Sequence, residues 1–159
     1  MADSTQYISI LLESLYKKEE VLEQLLVLNE KQGDIIKNNM KIEDFEENVE
    51  KKAFFIKELE HLDAGFQTVY LRVKEELIDQ KLSFTSEIHS LQRMITSITD
   101  KSVALETSEK RNKQAVEQYF SFTRNNFQKA RKNVKAASDY YKSMSQVNYI
   151  DPQLMDQKK

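Results

Sequence analysis

The chain has 159 residues, 31% of them charged and 40% hydrophobic, with two glycines, one proline and no cysteine. Such a composition leaves few turns, excludes a disulfide framework, a thiolate zinc site and a cysteine nucleophile, and points to long amphipathic helices. Net charge is −2, but residues 1–80 hold 10 Lys/Arg against 18 Asp/Glu while residues 81–159 hold 14 against 8, so an acidic front and a basic back can cover each other as helix faces.

No apolar run approaches the roughly 18 residues that a membrane helix needs, and the start, MADSTQY, lacks the basic and apolar blocks of a secretory signal. The expectation is a soluble cytoplasmic protein without membrane insertion. The chain is long enough for one domain, placed at 1–147, with a flexible tail at 148–159 where Pro152 ends any helix.

The first helix is predicted at about 5–37. Asp3 is its candidate N-cap, and Gln6 completes a capping box. Ile8, Leu12, Leu15, Leu22, Leu26 and Ile36 keep heptad spacing, Leu11, Leu25 and Leu28 widen the stripe, and Gly33 with Asn38–Asn39 marks the end. The second helix is predicted at 42–79. Ile42, Phe45, Val49, Ile56, Leu59, Phe66, Tyr70, Val73 and Leu77 follow one three-four alternation, in which Lys52 and Asp63 fill the two missing slots. A polar group at a seam position costs stability but can fix register. Gly65 inside this pattern predicts a bend or a close contact.

Between Asp79 and Ser86 the apolar phase slips, and Ser83 can cap a new helix, so a turn is placed there. The third helix is predicted at 85–143, without glycine or proline. Its seam is Ile88, Leu91, Ile95, Ile98, Ser102 and Leu105, then a polar gap at Glu109 and Asn112, then Val116. From there Val116, Phe120, Thr123, Phe127, Ala130, Val134, Ala137 and Tyr141 form an unbroken ribbon, with Tyr119, Phe122 and Tyr140 just beside it.

Length raises a conflict. Helices 1 and 2 span roughly 50–57 Å, whereas a helix over 85–143 spans roughly 87 Å. Either the third helix breaks near 109–112 and folds back, or its last turns project and leave the ribbon to a partner. The expected fold is all-α: an elongated antiparallel bundle or coiled coil of three long helices, the last the longest.

Catalysis finds little support. Glu58 and His61 make one Glu-x-x-His spacing, but Ser86 stands at the matching position before His89, so no di-iron set, no other metal site and no cofactor are expected. No glycine-rich phosphate loop exists and no catalytic residue stands out; the protein is not expected to be an enzyme. From Lys110 to Lys142 nine Lys/Arg face two acidic residues among several aromatics, a pattern compatible with nucleic acid or a lipid surface. Most of those aromatics sit at core spacing and the pI is about 5.8, so no nucleic-acid partner is expected. The ribbon therefore reads as core, as a partner-binding face or as a membrane-surface helix.

The blocks YISILLESLYKKEEVLEQLL, FEENVEKKAFFIKELEHLD, EIHSLQRMI and EKRNKQAVEQYF, and the end SDYYKSMSQVNYIDPQLMDQKK, in this order and spacing, resemble the FlgN family of flagellar type III export chaperones. The resemblance covers nearly the whole chain. It implies a helical chaperone that holds the C-terminal amphipathic helix of hook–filament junction proteins and brings them to the export gate in the membrane. Transferred here, the client helix would lie on Val116, Tyr119, Phe120, Phe127, Val134 and Tyr141. Tyr149 and Ile150 are, by position alone, the candidates for docking at the gate. The alternatives are a structural homodimeric coiled coil, or a sister chaperone of the filament cap.

Overall fold

The structure, a computed structural model, describes residues 4–122 and 128–147. These form four helices and no strand: α1 (Ser4–Lys37), α2 (Ile42–Asp79), α3 (Thr85–Phe122) and α4 (Gln128–Val147). The fold class is all-α, as the periodicity requires. Asp3, the proposed first cap, lies outside the described residues. Both early boundaries fall where the turn chemistry puts them. Asn39 closes α1 with φ at 58°, a left-handed position that Asn tolerates better than most residues. The phase slip after Asp79 becomes a turn, tied by hydrogen bonds from Gln80 N–H to the Glu76 carbonyl and from Ser83 N–H to the Gln80 carbonyl.

The third long helix departs from expectation. It does not run from 85 to 143 and it does not break near 109–112. Instead α3 is continuous through Glu109 and Asn112 and ends at Phe122, after which the 20-residue α4 begins. The physical reason is that the polar gap is not a gap. Glu109 is 0% exposed and Asn112 is 1% exposed, and both find partners inside the protein, so the helix has nothing to relieve there. At roughly 57 Å α3 matches α2, and the length conflict is resolved by folding back the last segment.

Side-chain contacts give the helix directions. Gln32 meets Asn48, Lys18 meets Asp63, and the Ser14 hydroxyl donates to the Leu62 carbonyl, so α1 and α2 are antiparallel. Glu19 meets Ser97, Glu23 meets Lys101 and Asn29 meets Ser108, so α1 and α3 are parallel. Thus α1 is the shared wall, with α2 along one side and α3 along the other.

The larger core cluster follows from the three stripes: Ile8, Leu11, Leu22 and Leu25 of α1, Leu59, Tyr70, Val73 and Leu77 of α2, and Leu91, Ile95, Ile98 and Leu105 of α3. Lys101 joins the basic half of the chain to the acidic half, with Glu23 at 3.0 Å and Glu19 at 3.1 Å. Burial tends to lower the Lys101 pKa, but the two carboxylates outweigh it and raise the value. Gly33 is closely approached, since an added Cβ would lie 3.3 Å from Asn112 Oδ1. Gly65 is not: nothing lies within 4 Å of its would-be Cβ, so the expected close contact is absent, and α2 passes through it without a stop.

Candidate helix-binding site

The ribbon that began as one stripe on one helix is divided by the break after Phe122. Its first part stays on α3 and its second part lies on α4, which folds back against α3 and α2. Val116 (1% exposed), Phe120 (4%) and Val134 (2%) then share one apolar cluster with Met40, Phe45 and Val49. A stripe written continuously in the sequence closes on itself. Its α3 part is a seat and its α4 part an occupant.

Each residue proposed for the client site can be placed on this arrangement. Val116 and Phe120 form the floor of the seat, and Tyr119 is half-buried at its edge, its ring 5.8 Å from that of Phe120 in an edge-on contact. Val134 and Tyr141 are on α4 and point inward. Phe127, and Tyr149 and Ile150 of the proposed gate contact, lie outside the described residues. The described ribbon is therefore covered by the chain itself and not presented to solvent.

Two polar layers hold the seat in register. In the first, the Lys52 ammonium donates to both Glu109 carboxylate oxygens at 2.7 Å and to Gln32 Oε1 at 3.3 Å. Gln32 Nε2 donates to Asn48 Oδ1 at 3.0 Å, Asn48 Nδ2 donates to the Leu28 carbonyl at 2.9 Å, and Asn112 Nδ2 donates to the Asn29 carbonyl at 2.8 Å. Burial pushes the Lys52 pKa down, and Glu109 opposes that shift. Tyr141 lies against this layer. Burial raises its phenol well above the ordinary 10.0, and the Glu109 charge pushes the same way. Its hydroxyl is buried without a hydrogen-bond partner among the described residues.

The second layer joins three helices. Lys18 of α1 pairs with Asp63 Oδ1, and the Tyr140 hydroxyl of α4 donates to Asp63 Oδ2 at 3.0 Å. The Lys18 and Asp63 side chains are 3% and 8% exposed. Burial lowers the Lys18 pKa against the pull of Asp63, while burial and then the Asp63 charge raise that of Tyr140. From Val134 beside Val49 to Tyr140 beside Asp63, α4 runs parallel to α2.

The fit of α4 is incomplete. A cleft of about 490 Å³ remains between α2 and α4, lined by Val49, Ala53, Phe54, Ile56, Val134, Ala137 and Tyr140 with Glu50, Lys57 and Glu60 among the polar groups. Phe54 at this cleft is 60% exposed. Sequence reasoning left out Phe54, which lies off the α2 seam, and gave Tyr140 no partner. Asp63 carried a signal, as a charged residue standing in an apolar slot.

Among the described residues no group of three His, Asp or Glu side chains could hold a metal ion, and no helix is long and apolar enough to cross a membrane. No curated protein and no solved structure matches the chain. The family model described as "FlgN protein" matches residues 1–148, which include all four helices. The chain belongs to the FlgN family of flagellar export chaperones.

Proposed function

We propose that this protein is a cytoplasmic chaperone of hook–filament junction proteins. It binds their amphipathic C-terminal helix, keeps them unassembled and delivers them to the flagellar type III export gate, with no catalytic step. The observation that carries the client-binding part is the ribbon closed on itself: the long helices hold a seat built for an amphipathic helix, and a short helix of this same chain fills it. A client helix exchanges with α4, covering Val116 and Phe120 in its place. Among the described side chains of α4, only Val134, Ala137, Ser138 and Tyr141 are buried, so its apolar hold is modest. Release at the gate is then return of α4 to its own seat. Tyr149 and Ile150, beyond the end of α4, are the proposed contact with the gate.

Calorimetry of the full chain with a junction-protein C-terminal peptide tests this reading. One peptide binds per chain. Ala137→Asp, which unseats α4, tightens binding several-fold, whereas Phe120→Asp in the seat abolishes it. A peptide that binds neither the unaltered chain nor the Ala137→Asp variant removes the client reading. An affinity indifferent to Ala137→Asp removes exchange with α4.

A further inference from the structure

The seat is apolar along most of its length, but one carboxylate oxygen accepts a hydrogen bond from the helix that occupies it. Asp63 belongs to α2 and stands in the apolar alternation between Leu59 and Phe66. One of its oxygens is engaged by Lys18 from α1, inside the body of the protein. The other accepts the Tyr140 hydroxyl from α4, at 3.0 Å. The two partners differ in kind, because α1 is a fixed neighbour while α4 is the exchanging element.

A carboxylate whose side chain is 8% exposed has little access to water, so an oxygen stripped of its donor carries a desolvation cost. A helix that replaces α4 with a wholly apolar face would impose that cost. A helix with a donor at the same height removes it. We propose that Asp63 is the specificity-determining residue of the seat: it requires a hydrogen-bond donor, a hydroxyl or an amine, at one fixed position in the buried face of any helix bound there. The requirement also sets register. A helix shifted by one turn moves its donor about 5.4 Å away, beyond hydrogen-bond reach. Lys18 holds Asp63 in place, which makes it a positioning residue.

The inference rests on exchange with α4, and its test separates the two. The probe is a synthetic labelled peptide of residues 128–147, the protein's own α4, with either tyrosine or phenylalanine at position 140. The receptor is the full chain carrying Ala137→Asp, so that its own α4 does not compete. The expected result is that the phenylalanine peptide binds about tenfold or more weakly, as loss of a hydrogen bond to a charged group implies. In a receptor that also carries Lys18→Met with Asp63→Leu, which removes the buried pair together and leaves neither charge alone, that preference disappears or reverses. Should this receptor fail to fold by circular dichroism, Asp63→Asn serves instead and shrinks the preference. Equal binding of the two peptides to the unmodified seat overturns the role of Asp63 and leaves exchange standing. Binding of neither peptide overturns exchange, and the inference with it.

Discussion

Lys52 has its ammonium between two oxygens of a carboxylate that is 0% exposed, while its own side chain is 3% exposed. A pair so placed contributes little net stability, because desolvation of both ions offsets their attraction, but the loss of one partner is costly. Lys52→Met alone is therefore expected to destabilise the protein by about 3–5 kcal/mol, whereas Lys52→Met with Glu109→Leu brings stability back to within about 1–2 kcal/mol of the original. Urea denaturation of the three proteins measures both values. The tyrosines supply a pH dependence. Folding raises the phenol pKa of Tyr140 and Tyr141 above 10.0, so the stability they contribute is complete below that value and declines as pH climbs beyond it, where the unfolded chain ionises first. A spectroscopic titration should find both phenols protonated past pH 10 until the chain unfolds, and an early release would show that α4 does not shield them. Four residues that marked polar slots in the sequence, Lys52, Asp63, Glu109 and Asn112, take part in the cross-helix layers, together with Lys18, Gln32, Asn48 and Tyr140, which the alternation did not mark. The positions of the first four were legible because a polar residue interrupts a strict alternation. Their pairings were not, because Lys52 and Glu109 are 57 positions apart and periodicity along one helix carries no information about another.

Among the elements, α1 and α2 match their predicted ranges because each is bounded by a local signal, the left-handed Asn39 and the phase slip after Asp79. The end of α3 has no glycine or proline to announce it, and the ribbon keeps its spacing straight across the break. Tertiary contact decides there: two apolar half-stripes cover each other only when the chain reverses. Local propensity could not reveal that, whereas comparison of helix lengths pointed to it. Gly65 offers a clean measurement within α2. Its would-be Cβ meets open space, so Gly65→Ala should stabilise the protein by about 1 kcal/mol from helix propensity alone, read as a rise in the urea midpoint without a change in slope. For α4 the expectation is separability. With Ala137→Asp, hydrogen exchange should quicken across α4 while the amides of α1 and of α2 beyond Asp63 keep their protection. Equal loss everywhere would mean that α4 is integral to the core.

For the whole molecule, three long helices form a body and the fourth lies on it, and this division gives a chaperone a natural economy of motion. The proposed exchange requires only α4 to leave, because the layers of Lys52 with Glu109 and Lys18 with Asp63 lie within the long helices. The stripe behind the candidate site was legible in the sequence, but its division between two helices was not. The ribbon named Val116, Tyr119, Phe120, Val134 and Tyr141 as one surface; the first four share one apolar cluster, as two facing parts and not as a single open face, while Tyr141 belongs to the larger core.

The position of α1 has a consequence for how the protein is made. Glu19, and Asn29 beside it on the same wall, find partners on α3 at Ser97, Ser108 and Asn112, separations of 78 to 83 positions. Contacts of that range close late, since each requires a long loop to be ordered first. During synthesis the first helix can pair with the second as a hairpin, but its other flank stays bare until α3 has emerged. Helix α4, emerging after α3, then docks on a surface that is already complete. For the interval before it arrives, the surface that α4 covers is open, and under the proposed exchange a client helix made nearby at that moment would meet no competitor.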